Sequence, residues 1–442
     1  MNIPQLLLSA YILLMVGMTG TDGAYQPISL LFVLASFATL AFAFFTAARR
    51  GPHDWKAPGP RTFAAAVVIL LLGGLVKPAG LYLQTQSLDY LYRGALALLV
   101  VLVVGAFVVR GGANARVMRV VFGLAVAIAI VFRIWMPIAS PNPRIDVFKV
   151  SQESAQSLLR GQNPYSVPID IAYPGQARYT FPGYVYLPAD LYLQTASYAL
   201  TGDVRYVLVL AELLTALFLW KLARRRWGEP TSQLIVLLFL FAPRALFMIE
   251  QAWLDSLILT FFALSMLLYD RDKPWKASVA YGYMLFMKQY LFFAVFQWLI
   301  IEKNRKRILT GLGVGLLTLA PFAIANWHAL LTTGILLNVT LPFRTDSLTV
   351  ASFVALTWGL KPPMGWSVIV GAVLTIATFR LQRGIEPLRG YLFALTTTTF
   401  GMFLFGSSAF YNWYYLVAGQ MLFLLVLGTT GGSPKAEGRP AS

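Results

Sequence analysis

The chain has 442 residues, 58% of them hydrophobic and 12% charged, with a net charge of +17 and a mean hydropathy of +0.67. These values lie outside the range of soluble globular domains and inside that of helical membrane proteins. Cysteine is absent and His53 and His328 are the only histidines, which excludes a disulfide framework, a thiolate nucleophile and a Cys-rich metal site, and removes most Ser-His-Asp chemistry. The Lys and Arg excess falls in short runs between apolar segments, the positive-inside pattern. Such runs attract anionic lipid headgroups, so membrane lipids and not nucleic acid are the expected partners.

The expected fold is all-α, a polytopic transmembrane helix bundle whose long external loop carries short amphipathic helices. The first twenty residues lack a basic n-region and an A-x-A-like site and read as a first helix rather than a cleaved signal. Further spans are expected near 27–47, 63–80, 94–109 and 117–137, since roughly 20 helical residues cross about 30 Å of hydrocarbon. The connection after the second span holds Arg49, Arg50, Lys56 and Arg61, and the one after the fourth holds Arg110, Arg116 and Arg119. Both belong in the cytoplasm, which puts the N-terminus inside and the fifth span's end, at Met136 and Pro137, outside.

The polar segment Ser140–Asp190 then interrupts the apolar chain and reads as part of an external loop, 138–203. Within it, Tyr184–Leu200 has the tyrosines of an interfacial amphipathic helix. The next basic run, Lys221–Arg226, requires one crossing near 204–222, and two more follow near 232–248 and 253–270. DRDKPWK (Asp270–Lys276) and EKNRKR (Glu302–Arg307) both look cytoplasmic, yet a single apolar run interrupted by Lys288-Gln289 separates them. That pattern predicts a broken or re-entrant hairpin with Lys288 at its tip. Later crossings are expected near 308–326, 364–380, 390–406 and 409–428, with a second external region at 326–363 and a disordered internal tail at 429–442. The total is about twelve crossings plus the hairpin. Residues 1–116 read as an accessory set of helices and 117–428 as the catalytic membrane module.

Chemistry must rest on carboxylates, cations, amides and tyrosines. Asp146 stands just beyond a membrane helix, where a carboxylate can serve as a general base or, more simply, as a helix cap. Lys288 sits in YGYMLFMKQYLFFAVF, where a charge costs about 2.5–3.5 kcal/mol on insertion scales, so it faces a polar path, snorkels or has a partner. Arg344 lies on the outer side against the charge rule, and a guanidinium there can act as a phosphate clamp. Glu250, Gln251 and Asp255 place polar groups on the outer side around a helix start, as functional residues or simply as caps, with Gln251 and Asp255 on one face. Glu212 lies inside a span and requires a partner. GLGVG at Gly311–Gly315 is read as close helix packing, because no strand precedes it.

Several of these stretches together resemble the GT-C integral-membrane glycosyltransferases, in particular the family-87 polyprenol-phosphate-mannose-dependent mannosyltransferases. The resemblance runs through Asp146, LLRGQNPYS (Leu158–Ser166), YVYLP (Tyr184–Pro188), P-x(7)-Q-x-x-x-D (Pro243, Gln251, Asp255), Lys288-Gln289 and FYNWYY (Phe410–Tyr415), covering roughly 117–428. Leu187, where that family often has a proline, and the four leading helices depart from it.

The resemblance implies transfer of a hexose, mannose first, from a polyprenyl-phosphate sugar to a hydroxyl of a glycolipid or cell-envelope glycan, by inversion, on the outer face of the inner membrane. It implies Asp146 as the base and Lys288 and Arg344 as donor-phosphate ligands. It also implies Asn163, Tyr165, Tyr186, Gln251, Asp255, Gln289, Tyr290, Tyr411 and Asn412 around the substrates; no cofactor is expected, and without a second external acidic motif no metal. A lipid or glycan transporter or flippase, and an oligosaccharide polymerase or ligase, are the alternatives.

Overall fold

The computed structural model describes residues 2–50, 55, 58–108, 115–175, 177–340 and 343–428. His53, Lys56, Arg110 and the tail 429–442 lie outside the described residues. The chain is a helical membrane bundle: α1 (Ile3–Thr19), α2 (Pro27–Arg50), α3 (Pro60–Gly74), α4 (Ser87–Val108) and α5 (Ala115–Ala139) lead into the polar segment. That segment folds as α6 (Asp146–Leu159), a hairpin of β1 (Ile169–Ile171) and β2 (Tyr179–Phe181), and α7 (Ala189–Thr201). There follow α8 (Tyr206–Trp227), α9 (Thr231–Leu240), α10 (Ala245–Glu250), α11 (Asp255–Asp270), α12 (Pro274–Leu285), α13 (Phe292–Ile301) and α14 (Arg305–Ala329). The chain closes with α15 (Leu337–Thr340), α16 (Val350–Trp358), α17 (Trp366–Leu381), α18 (Pro387–Phe405) and α19 (Tyr411–Leu427).

Among the described residues, five helices are long and apolar enough to cross a membrane: Pro27–Arg49, Ser87–Phe107, Arg116–Ala139, Tyr206–Trp227 and Arg305–Leu336. Several others are apolar but only 10–17 residues long, and the breaks between them have identifiable causes. The expected span near 232–248 is in fact two helices, α9 and α10. Pro243 has no amide to donate, and Arg244 takes a left-handed backbone at φ 69°, so the helix ends and restarts. The expected hairpin is present as α12 and α13. Phe286 and Lys288 leave helical geometry between them, Lys288 being extended at φ −142°, ψ 146°. The interfacial helix expected from Tyr184 begins later, at Ala189: Pro182 and Gly183 lie in a bend, and Pro188, which has no amide to donate, stands at the helix N-cap.

The bundle has two chemically distinct ends. At one, Arg225 and Arg226 of α8 pair with Asp270 of α11 at 2.6 and 2.8 Å, Arg307 covers Trp275 and Arg389 covers Trp55. At the other, Ala24 bridges Ser347, the Leu348 amide donates to the Ala409 carbonyl at 3.0 Å, and the Gln84 amide donates to Ala139 at 2.9 Å. The polar segment and the α12–α13 tip sit at this second end, where the Gln289 amide reaches Val185 and Gly334 carbonyls.

The four leading helices share one apolar core with the rest. Tyr11 of α1 donates to the Leu238 carbonyl at 2.7 Å. Glu250 accepts the Leu81 and Tyr82 amides at 2.7 and 2.8 Å. A buried ion pair also ties the bundle together, for Arg133 of α5 meets Glu212 of α8 at 2.7 Å with both side chains almost wholly enclosed.

The α12–α14 crossing depends on glycine, as GLGVG requires. A Cβ on Gly311 would stand 2.5 Å from the Ser278 carbonyl, and one on Gly282 would run into the Gly311 backbone. Gly311→Val is expected to lower the unfolding temperature in detergent by about 5 °C or more. Gly313→Ala, at a position with nothing within 4 Å, leaves it unchanged, and equal effects from the two would remove the packing argument.

Candidate active site at the loop end

Asp146 opens α6. Pro143 and the extended Ile145 end the preceding connection, and the carboxylate in the helix's first turn complements the N-terminal dipole. Its Oδ1 accepts the Val147 amide at 2.8 Å and its Oδ2 accepts the Tyr179 hydroxyl at 3.0 Å. Arg344 is close enough to act electrostatically on Asp146 and Tyr179. It is held by a two-pronged pair with Asp346, at 2.9 and 2.5 Å, and lies 4.6 Å over the Phe410 ring. Those hydrogen bonds keep the Asp346 carboxyl below its ordinary range.

A second cluster forms at the α12–α13 tip. Lys288 is 5% exposed, and its Nζ lies 2.8 Å from Asp255 Oδ2. The same carboxylate accepts the Asn412 amide at 2.6 Å and the Tyr290 hydroxyl. The start of α11, the break before α13 and the start of α19 thus converge on one wholly buried carboxylate. The ammonium is flanked by the rings of Tyr186 and Tyr290, each centred 5.4 Å away, a cation–π setting that stabilises a desolvated charge. Gln289 fixes the tip by donating to the Val185 and Gly334 carbonyls at 2.9 and 2.5 Å.

Tyr186 relates the two clusters. Burial first, then the negative fields of Asp146, Asp255 and Asp190, push its hydroxyl well above the ordinary tyrosine range. The two carboxylates read from the sequence therefore bear on one ring.

The remaining sequence candidates sit around this centre in other roles. Tyr165 is buried and donates to the Tyr186 carbonyl at 2.8 Å, while Asn163 caps the turn beneath it by accepting the Tyr165 amide at 3.1 Å. Gln251 donates to Glu250 at 3.1 Å, next to the α3–α4 connection. Tyr411 donates to the Pro243 carbonyl and stacks on Trp253 with centroids 6.2 Å apart. Lys288, Gln289, Asp255, Tyr290, Asn412 and Tyr186 are thus brought together. Asp146 and Arg344 form a neighbouring group, and Gln251, Tyr411, Asn163 and Tyr165 brace the surroundings.

Three groups escaped the sequence reading. Tyr179 touches Asp146, and Tyr173 donates to the Ile145 carbonyl at 2.8 Å. Asp190, in the first turn of α7, accepts the Tyr184 hydroxyl and the Gln194 amide. Burial pushes its carboxyl up to about 7, against the Tyr184 hydrogen bond, backbone amides and the nearby Lys288. Among the described residues, no three His, Asp or Glu side chains gather at one point.

No protein-family profile matches the chain, and no curated protein matches it. Two solved structures are similar to it, both of ArnT from Cupriavidus metallidurans. The one bound to undecaprenyl phosphate has 15% identity and a TM-score of 0.43, covering 69% of this chain and 59% of that one. The apo form has 16% identity and a TM-score of 0.44, covering 71% of this chain and 60% of the other. The chain therefore spans about three fifths of the length of the structures it matches.

Proposed function

We propose that the chain is a membrane glycosyltransferase that moves a hexose from a polyprenyl-phosphate donor to an acceptor hydroxyl at the loop end of the bundle. The observation that carries this reading is that Tyr186, whose ring flanks a desolvated lysine at a membrane-helix break, also lies in the field of a carboxylate held by the polar segment. Asp146 takes the acceptor proton as the acceptor oxygen attacks the anomeric carbon, and the phosphate leaves with the donor's bonding electrons. One Lys288 N–H is committed to Asp255, so its other two are the donors for the departing phosphate, where negative charge grows. Arg344 joins them by exchanging Asp346 for phosphate. Mannose as the sugar, and a glycolipid or cell-envelope glycan as the acceptor, follow from the family-87 sequence resemblance alone.

In this reading residues 117–428 form the catalytic module and 1–116 an accessory set that steadies it. Basic runs meeting at the end opposite the site support a multi-pass protein of the inner membrane with both termini inside and the site outside. A transporter is favoured by one observation, the second helix break at Phe241–Arg244, since transporters use pairs of broken helices. The two readings separate in one experiment. Purified protein in nanodiscs is given labelled polyprenyl-phosphate hexoses and a membrane lipid extract, and parallel proteoliposomes report donor movement across the bilayer. Sugar transfer predicts a covalently labelled product from at least one donor, whereas movement without any product would establish transport instead.

A further inference from the structure

The β1–β2 hairpin has no role in the chemistry above, yet it is built against Asp146. Its strands pair antiparallel, with Ile169 opposite Phe181 and Ile171 opposite Tyr179. Thr180 Oγ1 donates to Asp170 Oδ1 at 2.6 Å, and Lys149 of α6 donates to the Asp170 carbonyl at 2.5 Å, so the hairpin is pinned to the helix that Asp146 begins. From its two arms, Tyr173 and Tyr179 then reach adjacent residues, the first binding the Ile145 carbonyl and the second the Asp146 carboxylate. Two hydroxyls from one hairpin thereby fix both the backbone entering α6 and the rotamer of its first side chain.

On the reading that Asp146 is the base, we infer that the hairpin is the device that presents it and that Tyr179 is its positioning residue. The Tyr179 hydroxyl donates to Oδ2 while the Val147 amide occupies Oδ1, which sets the plane of the carboxylate and the lone pairs it offers to an incoming hydroxyl. Tyr179 stays protonated, and so remains a donor, because burial and Asp146 raise its hydroxyl above the ordinary range. Its ring is partly exposed and packs edge-on against Phe181 with centroids 5.4 Å apart, so removal of the hydroxyl leaves the packing intact.

The other groups that feel the charge of Asp146 are Tyr82 between α3 and α4, Tyr173 on the hairpin, Tyr186 before α7 and Arg344 after α15. Among the described residues, the donors to the carboxylate are the Val147 amide and the Tyr179 hydroxyl, and Tyr179 is the one side chain of the two.

The test measures kcat and KM separately for sugar transfer by the full-length protein in nanodiscs, comparing wild type with Tyr179→Phe and Tyr173→Phe. Tyr179→Phe is expected to lower kcat by about tenfold with the donor and acceptor KM values within about twofold of wild type, because the carboxylate loses its orientation while the substrates keep their contacts. Tyr173→Phe, which loses a bond to a backbone carbonyl, lowers kcat by a smaller factor. A Tyr179→Phe kcat within about twofold of wild type, or a loss that appears in KM alone, overturns the inference. Asp146→Asn at the wild-type rate would instead overturn the underlying reading, and the two failures are told apart by that variant alone.

Discussion

Lys288→Met is expected to slow transfer from a polyprenyl-phosphate donor by about a hundredfold or more, the size seen when one electrostatic donor to a developing charge is removed. The lysine is nearly buried and carries the only formal positive charge hydrogen-bonded to Asp255 among the described residues. Its loss therefore has a second effect, because Asp255 is left as an unpaired buried carboxylate, and breaking a buried pair from one side costs about 3–5 kcal/mol. The double variant Lys288→Met/Asp255→Asn separates the two. It removes the orphaned charge and is expected to unfold near the wild-type temperature while staying as slow as the single variant. Recovery of rate in the double variant would show that Lys288 only balances Asp255.

The largest effect on stability is expected at Arg133. Its Nε donates to Glu212 at 2.7 Å and its Nη2 to the Leu240 carbonyl at 2.8 Å, while Ser256 donates to the other Glu212 oxygen at 3.1 Å. Both side chains are enclosed by α5, α8 and the end of α9, so neither charge can be met by water. Arg133→Met should destabilise the protein by about 3–5 kcal/mol, and Arg133→Met/Glu212→Leu, which leaves no charge behind, should recover most of it. Thermal unfolding in detergent measures both. A double variant as unstable as the single one would mean that the pair is needed for shape and not for charge balance.

Glu212 was legible as a residue that needs a partner, since an acid inside an apolar span has no other way to persist. The partner was not legible, because Arg133 lies 79 positions away and only the packing of α5 on α8 brings them together. The broken hairpin at Lys288 and the close packing at Gly311 could be read because each conflicts locally with an uninterrupted helix: a charge in an apolar run, and three glycines in five residues. The break at Phe241–Arg244 escaped, because a single proline in a hydrophobic stretch is compatible with a kinked continuous helix and nothing local demands a left-handed arginine. Asp146 stood out by its position beyond a helix end. Tyr179 did not, for strands of three residues are too short to show alternation, and its contact with Asp146 spans 33 positions. The gathering of Lys288, Tyr290 and Asn412 on Asp255 likewise joins three separate segments, and sequence order alone does not say which of several polar residues at a bundle end share a carboxylate.

The central claim is that Asp146 is the base for sugar transfer, and the most direct measurement compares wild type with Asp146→Asn in nanodiscs supplied with labelled polyprenyl-phosphate mannose and membrane lipid extract. Asparagine keeps the side chain's size, retains one oxygen that can still accept the Val147 amide, and removes the basicity. The account predicts a labelled product from the wild type and a variant that is folded but at least about a hundredfold slower. Equal rates would contradict it and leave Asp146 as the first residue of a helix and nothing more.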